Sequence, residues 1–331
     1  MVTIKDIAEM AKVSKSTVSR VLNNSGYVSE DARMRVEKVV EQTNYTPSQH
    51  AKSLRTKKTK IVGVILPTIQ TETSSKIVTG LGREFSKLGY EILLANTNLN
   101  KEKEFEYLDL LKVRGVDGIV LIATNTEPKL LEKIKEINIP LVMVGQAAEG
   151  MMSVTYDDYH ASRELTSLLI DKGHERIAFI GVDETDQAVG MRKKGFLQEM
   201  AAHQLEVSET WLEKGIFDID SGYDAMEKIL SNSRRSPNKI PTALIAVTDR
   251  LAMGAMSYLK KQGMRVPEDM AIAGFGASEF AQYLDPPLTT VDYQNEKAGE
   301  EAAIQLINCM HSKNHTEKIV LDYRLIERTS I

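Results

Sequence analysis

Thr3-Ile-Lys-Asp-Ile-Ala-Glu-Met-Ala-Lys-Val-Ser-Lys-Ser-Thr-Val-Ser-Arg-Val-Leu-Asn-Asn24 is the stretch that decides the fold of the N-terminal region. It contains two helical patterns separated by a short turn. Four apolar residues of the first pattern recur at the spacing of one helix face: Ile4, Ile7, Ala8 and Ala11. Thr3, followed three residues later by Asp6, is typical of a capping box at the start of a helix.

The second pattern predicts a helix over Lys15–Leu22 with two chemically different faces. At about 100° per residue, its aliphatic residues share one arc: Val18, Val21 and Leu22. The opposite arc carries hydrogen-bond donors: Lys15, Ser16, Ser19 and Arg20. A short helix that buries one side and presents such donors on the other fits the major groove of DNA.

A third helical pattern follows Ser29, a favourable N-cap before the acidic residues Glu30 and Asp31. Its apolar face is formed by Ala32, Val36, Val39 and Val40. Three small amphipathic helices in succession predict a three-helix helix-turn-helix headpiece. An ordinary amphipathic helical bundle is the alternative, because helix pairs joined by a serine-rich turn are common.

Charge is divided unevenly along the 331 residues. Of 42 Lys/Arg and 46 Asp/Glu in the whole chain, residues 1–60 carry 12 and 6, which leaves 30 and 40 for the remainder. A basic end on an acidic body favours a protein that applies one end to a polyanion. Between the two parts, Pro47 ends helical propagation. The basic stretch Lys52–Lys60 has the composition of an arm that faces nucleic acid, with a solvated linker as the alternative.

The single cysteine, Cys309, excludes an internal disulfide and a zinc site made of several thiolates. It lies in an apolar helical pattern, which favours a buried small side chain over a reactive thiol. No apolar run approaches the roughly 18 residues of a membrane-spanning helix, and no charged-then-apolar leader begins the chain. These patterns predict a cytoplasmic protein with no membrane partner.

From Ile61 onwards, short apolar runs alternate with segments of helical length. The runs are Ile61–Leu66, Tyr90–Ala95, Gly118–Ile122, Leu141–Val144, Ile177–Gly181, Ala243–Val247, Ala271–Phe275 and Leu288–Val291. The helical segments include Ser75–Leu88, Glu102–Val113, Tyr159–Lys172, Arg192–Ala202, Ser221–Leu230 and Leu251–Gln262. Such alternation predicts parallel sheets covered on both faces. We expect an α/β body of two doubly wound lobes, with a ligand cleft at the carboxyl ends of the strands.

The sequence carries no recognisable catalytic motif. There is no GxxxxGK[ST] phosphate loop, and Gly274-Phe-Gly276 is too short for a dinucleotide fingerprint. HExxH, CxxC and GxSxG do not occur, and none of the six histidines has a partner at metal-ligand spacing. We interpret His174 as part of a helix C-terminus, and the adjacent Asp157 and Asp158 as poor candidates for a catalytic pair. The sequence therefore predicts a protein that is not an enzyme and needs no metal or cofactor.

Taken together, the chain resembles bacterial transcription regulators of the lactose/galactose repressor family. The matching stretches are Thr3–Ala8, Val13–Asn23, Pro47 with Ala51 and Leu54, Val116–Gly118, Gly173-His174, Thr248-Asp249, Leu251–Gly254, Val266-Pro267 and Pro286–Val291. Within the family, Val154–Asp158, Gly190–Lys194 and Thr248-Asp249 resemble the repressors of trehalose and sucrose operons. The resemblance covers the chain from end to end.

For DNA, the resemblance implies that the two headpieces of a homodimer dock on the halves of a palindromic operator. The bases are then read by Lys15, Ser16 and Arg20. The phosphates are contacted by Thr17, Ser19, Asn23 and Tyr27. Residues 47–60 are a hinge helix and linker: Pro47–Leu54 becomes the hinge helix, whose Ala51 and Leu54 face the minor groove, with Leu54 as a wedge. Ser48 and Lys52 stand where the family usually has Asn and Arg.

For the dimer, the resemblance places the interface on the flank of the body that carries the Ser75–Leu88 and Leu251–Gln262 helices. No leucine heptad follows Tyr323–Ile331, so we expect a dimer and not a tetramer.

For the body, the resemblance extends to type I periplasmic sugar-binding proteins. It implies a headpiece of residues 1–46 and one lobe over residues 61–157 with 291–322. The other lobe covers residues 158–290 with 323–331. A small molecule in the cleft then changes the pose of the lobes and the affinity for DNA. Six residues would line that cleft: Thr71, Thr73, Gln146, Arg192, Phe217 and Thr248. The chain departs from the family pattern at Gly145-Gln146, Thr248 and Gly276-Ala277, where many relatives have acidic residues, Arg or Asn.

The ligand stays open between a sugar and a sugar phosphate, and we suspect the disaccharide type. The guanidinium of Arg192 can donate paired hydrogen bonds equally well to hydroxyls or to a phosphate. Lys193 and Lys194 either belong to the same site or are exposed helix positions. Phe217 either stacks on a sugar face or packs as a core aromatic.

We expect a repressor of a carbohydrate-utilisation operon that its ligand releases from DNA. A global carbon-catabolite regulator of the same fold, controlled mainly by a phosphocarrier protein, is the first alternative. A sugar-processing enzyme or transport binding protein whose headpiece no longer binds DNA is the second. The missing catalytic motifs and leader disfavour this second alternative.

Overall fold

The computed structural model describes residues 2–45, 58–124, 126–182, 187–233, 240–311 and 317–331. The chain divides into two compact units, Met1–Thr59 and Lys60–Ile331. The hinge positions Ala51 and Leu54 lie outside the described residues. Among the described helices, none is long and apolar enough to cross a membrane.

The described part of the first unit contains the helices α1 (Ile4–Met10), α2 (Lys15–Leu22) and α3 (Glu30–Thr43). The predicted capping box begins α1: Thr3 N donates to the Asp6 carboxylate at 2.8 Å, and Asp6 N donates to the Thr3 hydroxyl at 3.3 Å. The Ser29 hydroxyl caps α3 by accepting from Ala32 N at 3.4 Å. The helices enclose a small core centred on three fully buried side chains: Ile7, Val18 and Val36. The predicted three-helix headpiece is confirmed.

Lobe 1 is built on a parallel sheet. Its strands, in chain order, are β1 (Ile61–Leu66), β2 (Glu91–Asn96), β3 (Gly118–Ile122), β4 (Leu141–Val144), β5 (Met152–Tyr156) and β11 (Lys318–Leu321). They lie side by side in the order β11-β5-β4-β3-β1-β2. One face packs against α4 (Glu72–Lys87) and α11 (Asn295–His311), and the other against α5 (Lys101–Arg114) and α6 (Pro128–Ile137).

Lobe 2 repeats this plan with one antiparallel edge. Its strands are β6 (Ile177–Gly181), β7 (Leu212–Lys214), β8 (Ala243–Ala246), β9 (Ala271–Phe275), β10 (Thr289–Asp292) and β12 (Arg324–Ile326). Their order is β12-β10-β9-β8-β6-β7, and β12 runs antiparallel to β10. The helices of this lobe are α7 (Asp158–Asp171), α8 (Gln187–Ala202), α9 (Ile219–Ser233) and α10 (Asp249–Lys261). The predicted α/β body with two parallel-sheet lobes is confirmed.

The chain passes between the lobes at three places in the described residues. It leaves lobe 1 after β5 to begin α7, returns after β10 to begin α11, and leaves again between β11 and β12. Three linking segments therefore lie side by side between the two sheets, so each lobe consists of segments that are distant in sequence.

Glycines allow the backbones of paired helices to touch. A methyl group built on Gly80 of α4 would overlap the carbonyl oxygen of Glu296 on α11, and one on Gly299 would overlap that of Ile77. In lobe 2, Gly254 of α10 lies in the same way against the Ile219 carbonyl at the start of α9. At such positions any side chain larger than hydrogen forces the helices apart.

Candidate DNA-binding surface and ligand cleft

The exposed face of α2 gathers the residues that the sequence assigned to DNA. Lys15, Ser16 and Arg20, the predicted base readers, are exposed, whereas Val18 and Val21 on the opposite face are buried. Ser14 is the N-cap of α2, and its hydroxyl accepts from Thr17 N at 3.1 Å. The helix therefore begins firmly, next to the basic and hydroxyl side chains that it presents to solvent.

The predicted phosphate contacts surround this face. Asn23 and Tyr27 are exposed, Tyr27 to 88%, and Thr17 and Ser19 are half-buried. The Asn23 amide donates to the Ser19 carbonyl at 2.6 Å and fixes the last turn of α2. An aromatic ring as exposed as that of Tyr27 contributes little to the headpiece core, and its hydroxyl is accessible to a partner. All seven residues predicted to read bases or contact phosphates thus lie on or next to α2.

A cavity of about 460 Å³ lies between the two lobes of the body. Each sheet contributes loops that follow the carboxyl ends of its strands, as expected for parallel sheets. The cavity is lined by all six residues predicted for the cleft: Thr71, Thr73, Gln146, Arg192, Phe217 and Thr248. Its volume lies within the range of about 300–1,000 Å³ that is typical of small-molecule sites.

Two of the cleft threonines also begin helices. The Thr71 hydroxyl caps α4 by accepting from Ser74 N at 3.5 Å, and it donates to the Ser74 hydroxyl at 3.1 Å. The Thr248 hydroxyl caps α10 by accepting from Leu251 N at 3.3 Å. Both hydroxyls are held in place by these caps at the edge of the cavity.

Arg192 is held rigidly in the cleft wall. Its Nε donates to Asp158 at 2.7 Å and its Nη1 donates to the Val247 carbonyl at 2.6 Å. The guanidinium carbon lies 5.0 Å from the centre of the Phe275 ring and 4.8 Å from that of Tyr293, within the range of cation–π interactions. The sequence had placed Arg192 in the cleft, and the structure adds that its charge meets a carboxylate.

Gln146 is a polar side chain of the cleft whose hydrogen-bonding capacity is left over. It is 2% exposed, and neither its Oε1 nor its Nε2 has a partner within the described part of the chain. A buried amide without partners costs about 1–3 kcal/mol. A ligand that both donates and accepts at this position would satisfy the two atoms.

Residues 276–279 form a strap between the lobes. On the lobe 1 side, Lys76 Nζ donates to the Ala277 carbonyl at 2.9 Å, and the Glu72 carboxylate accepts from Glu279 N at 2.9 Å. On the lobe 2 side, the Asp249 carboxylate accepts from Ser278 N at 2.6 Å. Neighbouring amides of the strap are therefore bound by carboxylates from opposite lobes.

Asp249 is buried beside this strap and also accepts from the Thr290 hydroxyl at 2.6 Å. Burial raises the pKa of Asp249 to about 6, and the hydrogen bonds from Thr290 and Ser278 oppose that rise. The sequence identified Asp249 only as part of a family motif. Its position as the first residue of α10, directly after β8, is the signal that could have placed it at the cleft.

Lys193 and Lys194 do not line the cleft. They line a separate shallow depression formed by one face of α8, together with Gly190 and Leu197. Lys194 is an exposed helix position, as in the second interpretation, whereas Lys193 is half-buried. Phe217, by contrast, satisfies both of its interpretations, because it lines the cavity and packs against the lobe 2 core.

No group of three or more His, Cys, Asp or Glu side chains suited to a metal ion occurs in the described segments. Cys309 is half-buried on α11 and packs against the lobe 1 core. Burial raises the pKa of the Cys309 thiol. Its environment therefore disfavours the reactive thiolate, in line with the sequence interpretation.

Two family models match the chain. Residues 3–48 match bacterial regulatory proteins of the lacI family, and residues 166–331 match the periplasmic binding protein-like domain. The HTH-type transcriptional repressor PurR of Histophilus somni is 30% identical over 335 residues, covering 100% of this chain and 99% of the relative.

Solved structures agree in fold. The complex of the transcriptional regulator CelR with cellobiose superposes with a TM-score of 0.74 at 27% identity and covers 100% of both chains. The lac repressor dimer bound to operator and the anti-inducer ONPF reaches a TM-score of 0.87 at 23% identity, covering 99% of this chain and 98% of that one. Headpiece, two-lobed body and full-length relatives lead to one conclusion: the chain belongs to the LacI family of DNA-binding transcriptional regulators, whose members are not enzymes.

Proposed function

We propose that this protein is a cytoplasmic, homodimeric repressor of a carbohydrate-utilisation operon. A sugar or sugar phosphate in the cleft between the lobes changes its affinity for a palindromic operator. The observation that carries the proposal is Gln146: its buried amide lines a 460 Å³ cavity, and neither of its polar atoms has a partner among the residues that the structure describes. A sugar hydroxyl both donates and accepts, so neighbouring hydroxyls satisfy such an amide completely.

Size and wall chemistry support a disaccharide. Most of the accessible wall of the cavity is apolar and includes the rings of Phe217 and Phe280, and polar side chains such as Gln146 lie among the apolar ones. Such walls suit the apolar faces of sugar rings, and the polar groups then fix the orientation of the ligand. CelR, to which this chain is similar, was solved in complex with cellobiose, and this similarity also supports a disaccharide. The resemblance to trehalose and sucrose repressors remains a prediction within this proposal.

A purine is the second candidate ligand, because the relatives with full coverage include several named PurR. A planar base would use the donor and acceptor of Gln146 as well as a sugar does. It is much smaller than a disaccharide, however, and two of the aromatic rings, Phe275 and Tyr293, already flank the guanidinium of Arg192. We therefore rank the sugar first.

Homodimer formation is part of the proposal. The edge strand β2 of lobe 1 exposes Leu93 and Leu94, and Leu88 is exposed at the end of the neighbouring α4. Exposed leucines along an unpaired edge favour contact with a second copy of the chain. On the other hand, α10 buries most of its apolar residues against α9 and the sheet of lobe 2. The flank near α4 is therefore the stronger part of the predicted interface.

The first experiment is a thermal-shift screen of the purified protein against disaccharides, their 6-phosphates and purine bases, followed by operator binding with each hit. A ligand at 100 times its Kd adds about 2.7 kcal/mol to the stability of the state that binds it. We expect a disaccharide or its phosphate to raise Tm and to weaken operator binding. A shift with purines alone would contradict the sugar assignment. If no compound in the panel raises Tm, the alternative of a regulator controlled mainly by a protein co-regulator is favoured.

Arg20→Ala is expected to weaken operator binding by about 1–3 kcal/mol and to reduce the preference for operator over random DNA. The reason is that an exposed guanidinium on the outer face of α2 can pair with the edge of a guanine. Competition binding with operator and random duplexes measures both quantities. Lys38→Ala, which removes an exposed charge from α3, is the matched control and should leave the preference unchanged. Equal selectivity in Arg20→Ala and Lys38→Ala would refute the base-reading role.

A further inference from the structure

Asp158 has no role in the sequence-based site, yet it determines the charge of the cleft. It is the first residue of α7, directly after the chain leaves lobe 1, and its side chain is 5% exposed. Its carboxylate lies 2.7 Å from Nε of Arg192, whose side chain is 12% exposed. Among the residues predicted for the cleft, Arg192 is the cation, and Asp158 is its counter-ion.

The charge state of this pair follows from elementary chemistry. Burial raises the pKa of Asp158, and the adjacent guanidinium of Arg192 opposes that rise. Arginine does not give up its proton in proteins. A neutral Asp158 would therefore leave a buried cation uncompensated, and that costs more than keeping the carboxylate ionised. The pair is a salt bridge with no net charge.

Two other charged side chains near the cleft, Glu72 and Arg250, also have ion-pair or hydrogen-bond partners. The carboxylate of Glu72 lies 3.7 Å from Lys76 Nζ and binds the strap. Arg250 donates from Nε to the Phe217 carbonyl at 3.2 Å, and from Nη1 to the Gln70 carbonyl at 3.5 Å. Lys193 and Lys194 lie outside the cavity. A phosphate inside the cleft would therefore meet one arginine whose charge is neutralised by Asp158 and another that already donates to two backbone carbonyls.

The amide of Gln146 also favours a hydroxyl over a phosphate group. A phosphate dianion only accepts hydrogen bonds, so it would satisfy Nε2 of Gln146 and leave Oε1 without a donor. A hydroxyl satisfies either atom. At the position of Gln146 the cleft therefore matches a hydroxyl group better than a phosphate group.

We infer that Asp158 is a specificity-determining residue: by neutralising Arg192 it makes the cleft select an uncharged, hydroxyl-bearing ligand and discriminate against a phosphate ester. This inference rests on the proposed function and names the ligand class within it. Asp158 acts through Arg192 and does not itself line the cavity. Removing the negative charge of Asp158 should convert the same pocket into an anion-binding site, and this expectation does not depend on any sugar.

The test uses inorganic phosphate as the probe, at constant ionic strength and near neutral pH. Thermal shift and calorimetric titration are compared for the full-length wild type, Asp158→Asn, Asp158→Glu and the double variant Asp158→Asn/Arg192→Met. We expect Asp158→Asn to bind phosphate about tenfold or more tightly than the wild type does. Asp158→Glu should behave like the wild type, because it restores the charge. The double variant should lose the gain, which locates the anion at Arg192.

Three results would overturn the inference. The first is phosphate binding by the wild type that disappears in Arg192→Met or Arg250→Met. The second is a gain in Asp158→Asn that survives in the double variant. The third is no gain in a folded Asp158→Asn. If Asp158→Asn gives no cooperative unfolding transition, the wild type and its single Arg192→Met and Arg250→Met variants still decide the question.

A second experiment distinguishes failure of this inference from failure of the proposed function. For whichever disaccharide binds the wild type, Kd is measured for the neutral sugar and for its 6-phosphate. Asp158→Asn should change the ratio of the two Kd values about tenfold in favour of the phosphate. Equal weakening of both ligands would show a merely structural role. If no sugar binds the wild type, the proposed ligand class fails, whereas the phosphate probe still reports on Asp158.

Discussion

Gly80→Ala is expected to destabilise the body by about 1–3 kcal/mol, the usual cost of overpacking, or by more. Gly80 lies in the middle of α4 where a methyl group would overlap the backbone of Glu296 on α11. Backbone atoms cannot move aside as the end of a flexible side chain does, so the two helices must separate. That separation would loosen the core between α4, α11 and the sheet of lobe 1, which contains the fully buried Leu81 and Phe85.

Gly82→Ala provides the matched control on the same helix. The nearest atom to a methyl group at Gly82 is Ile92 Cδ1 at 3.9 Å, an ordinary van der Waals distance. Alanine is a better helix former than glycine, so this substitution should stabilise by about 0.5–1 kcal/mol. Differential scanning calorimetry of both variants gives the comparison. Shifts of the same sign in the two variants would contradict the close backbone contact between α4 and α11.

Arg192→Met is expected to cost about 3–5 kcal/mol, because it leaves the carboxylate of Asp158 buried without its partner. The substitution also removes the cation from between Phe275 and Tyr293. We expect it to abolish the response of operator binding to the effector. Trp211 is the only tryptophan in the chain and is buried in the core of lobe 2, so its fluorescence in a denaturant titration reports on the lobe that is affected.

The double variant Arg192→Met/Asp158→Leu separates the two effects. Replacing both partners of a buried pair by apolar residues is often neutral for stability, so most of the lost free energy should return. The effector response should not return, because the guanidinium is still missing. A single variant as stable as the wild type would contradict the buried ion pair, and a normal effector response would remove Arg192 from the site.

The central strands of both sheets could be predicted because burial on both faces requires continuous apolar runs. Gly118–Ile122 and Ala271–Phe275 were predicted with the bounds that the structure shows. By contrast, β5 alternates polar and apolar residues, and β12 is three residues long at a sheet edge. Edge strands are only partly covered, so their sequences carry a weak apolar signal. That accounts for β12, whereas β5 lies inside its sheet and was missed because Ser153 and Thr155 interrupt its apolar run.

In the cleft, the lining residues could be predicted from the sequence, but their partners could not. Its six predicted residues line one cavity, because loops at the carboxyl ends of parallel strands meet wherever two such sheets face each other. The partners of those residues could not be predicted in the same way. Asp158 and Arg192 are 34 residues apart, and their contact depends on how α7 packs against α8. The sequence indicated which residues face the cleft, and the packing of helices determined which of them are neutralised.

The three passages of the chain between the lobes also constrain the order in which this protein can assemble during synthesis. Lobe 1 needs α11 and β11, which end at Leu321, so its core cannot close until the chain up to Leu321 has left the ribosome. The headpiece, by contrast, needs only residues up to Tyr45 for its small core. Domains whose segments are contiguous fold as they emerge. In this chain the part expected to read DNA can fold first, whereas the part expected to sense a ligand forms only after α11, β11 and β12 have been synthesised.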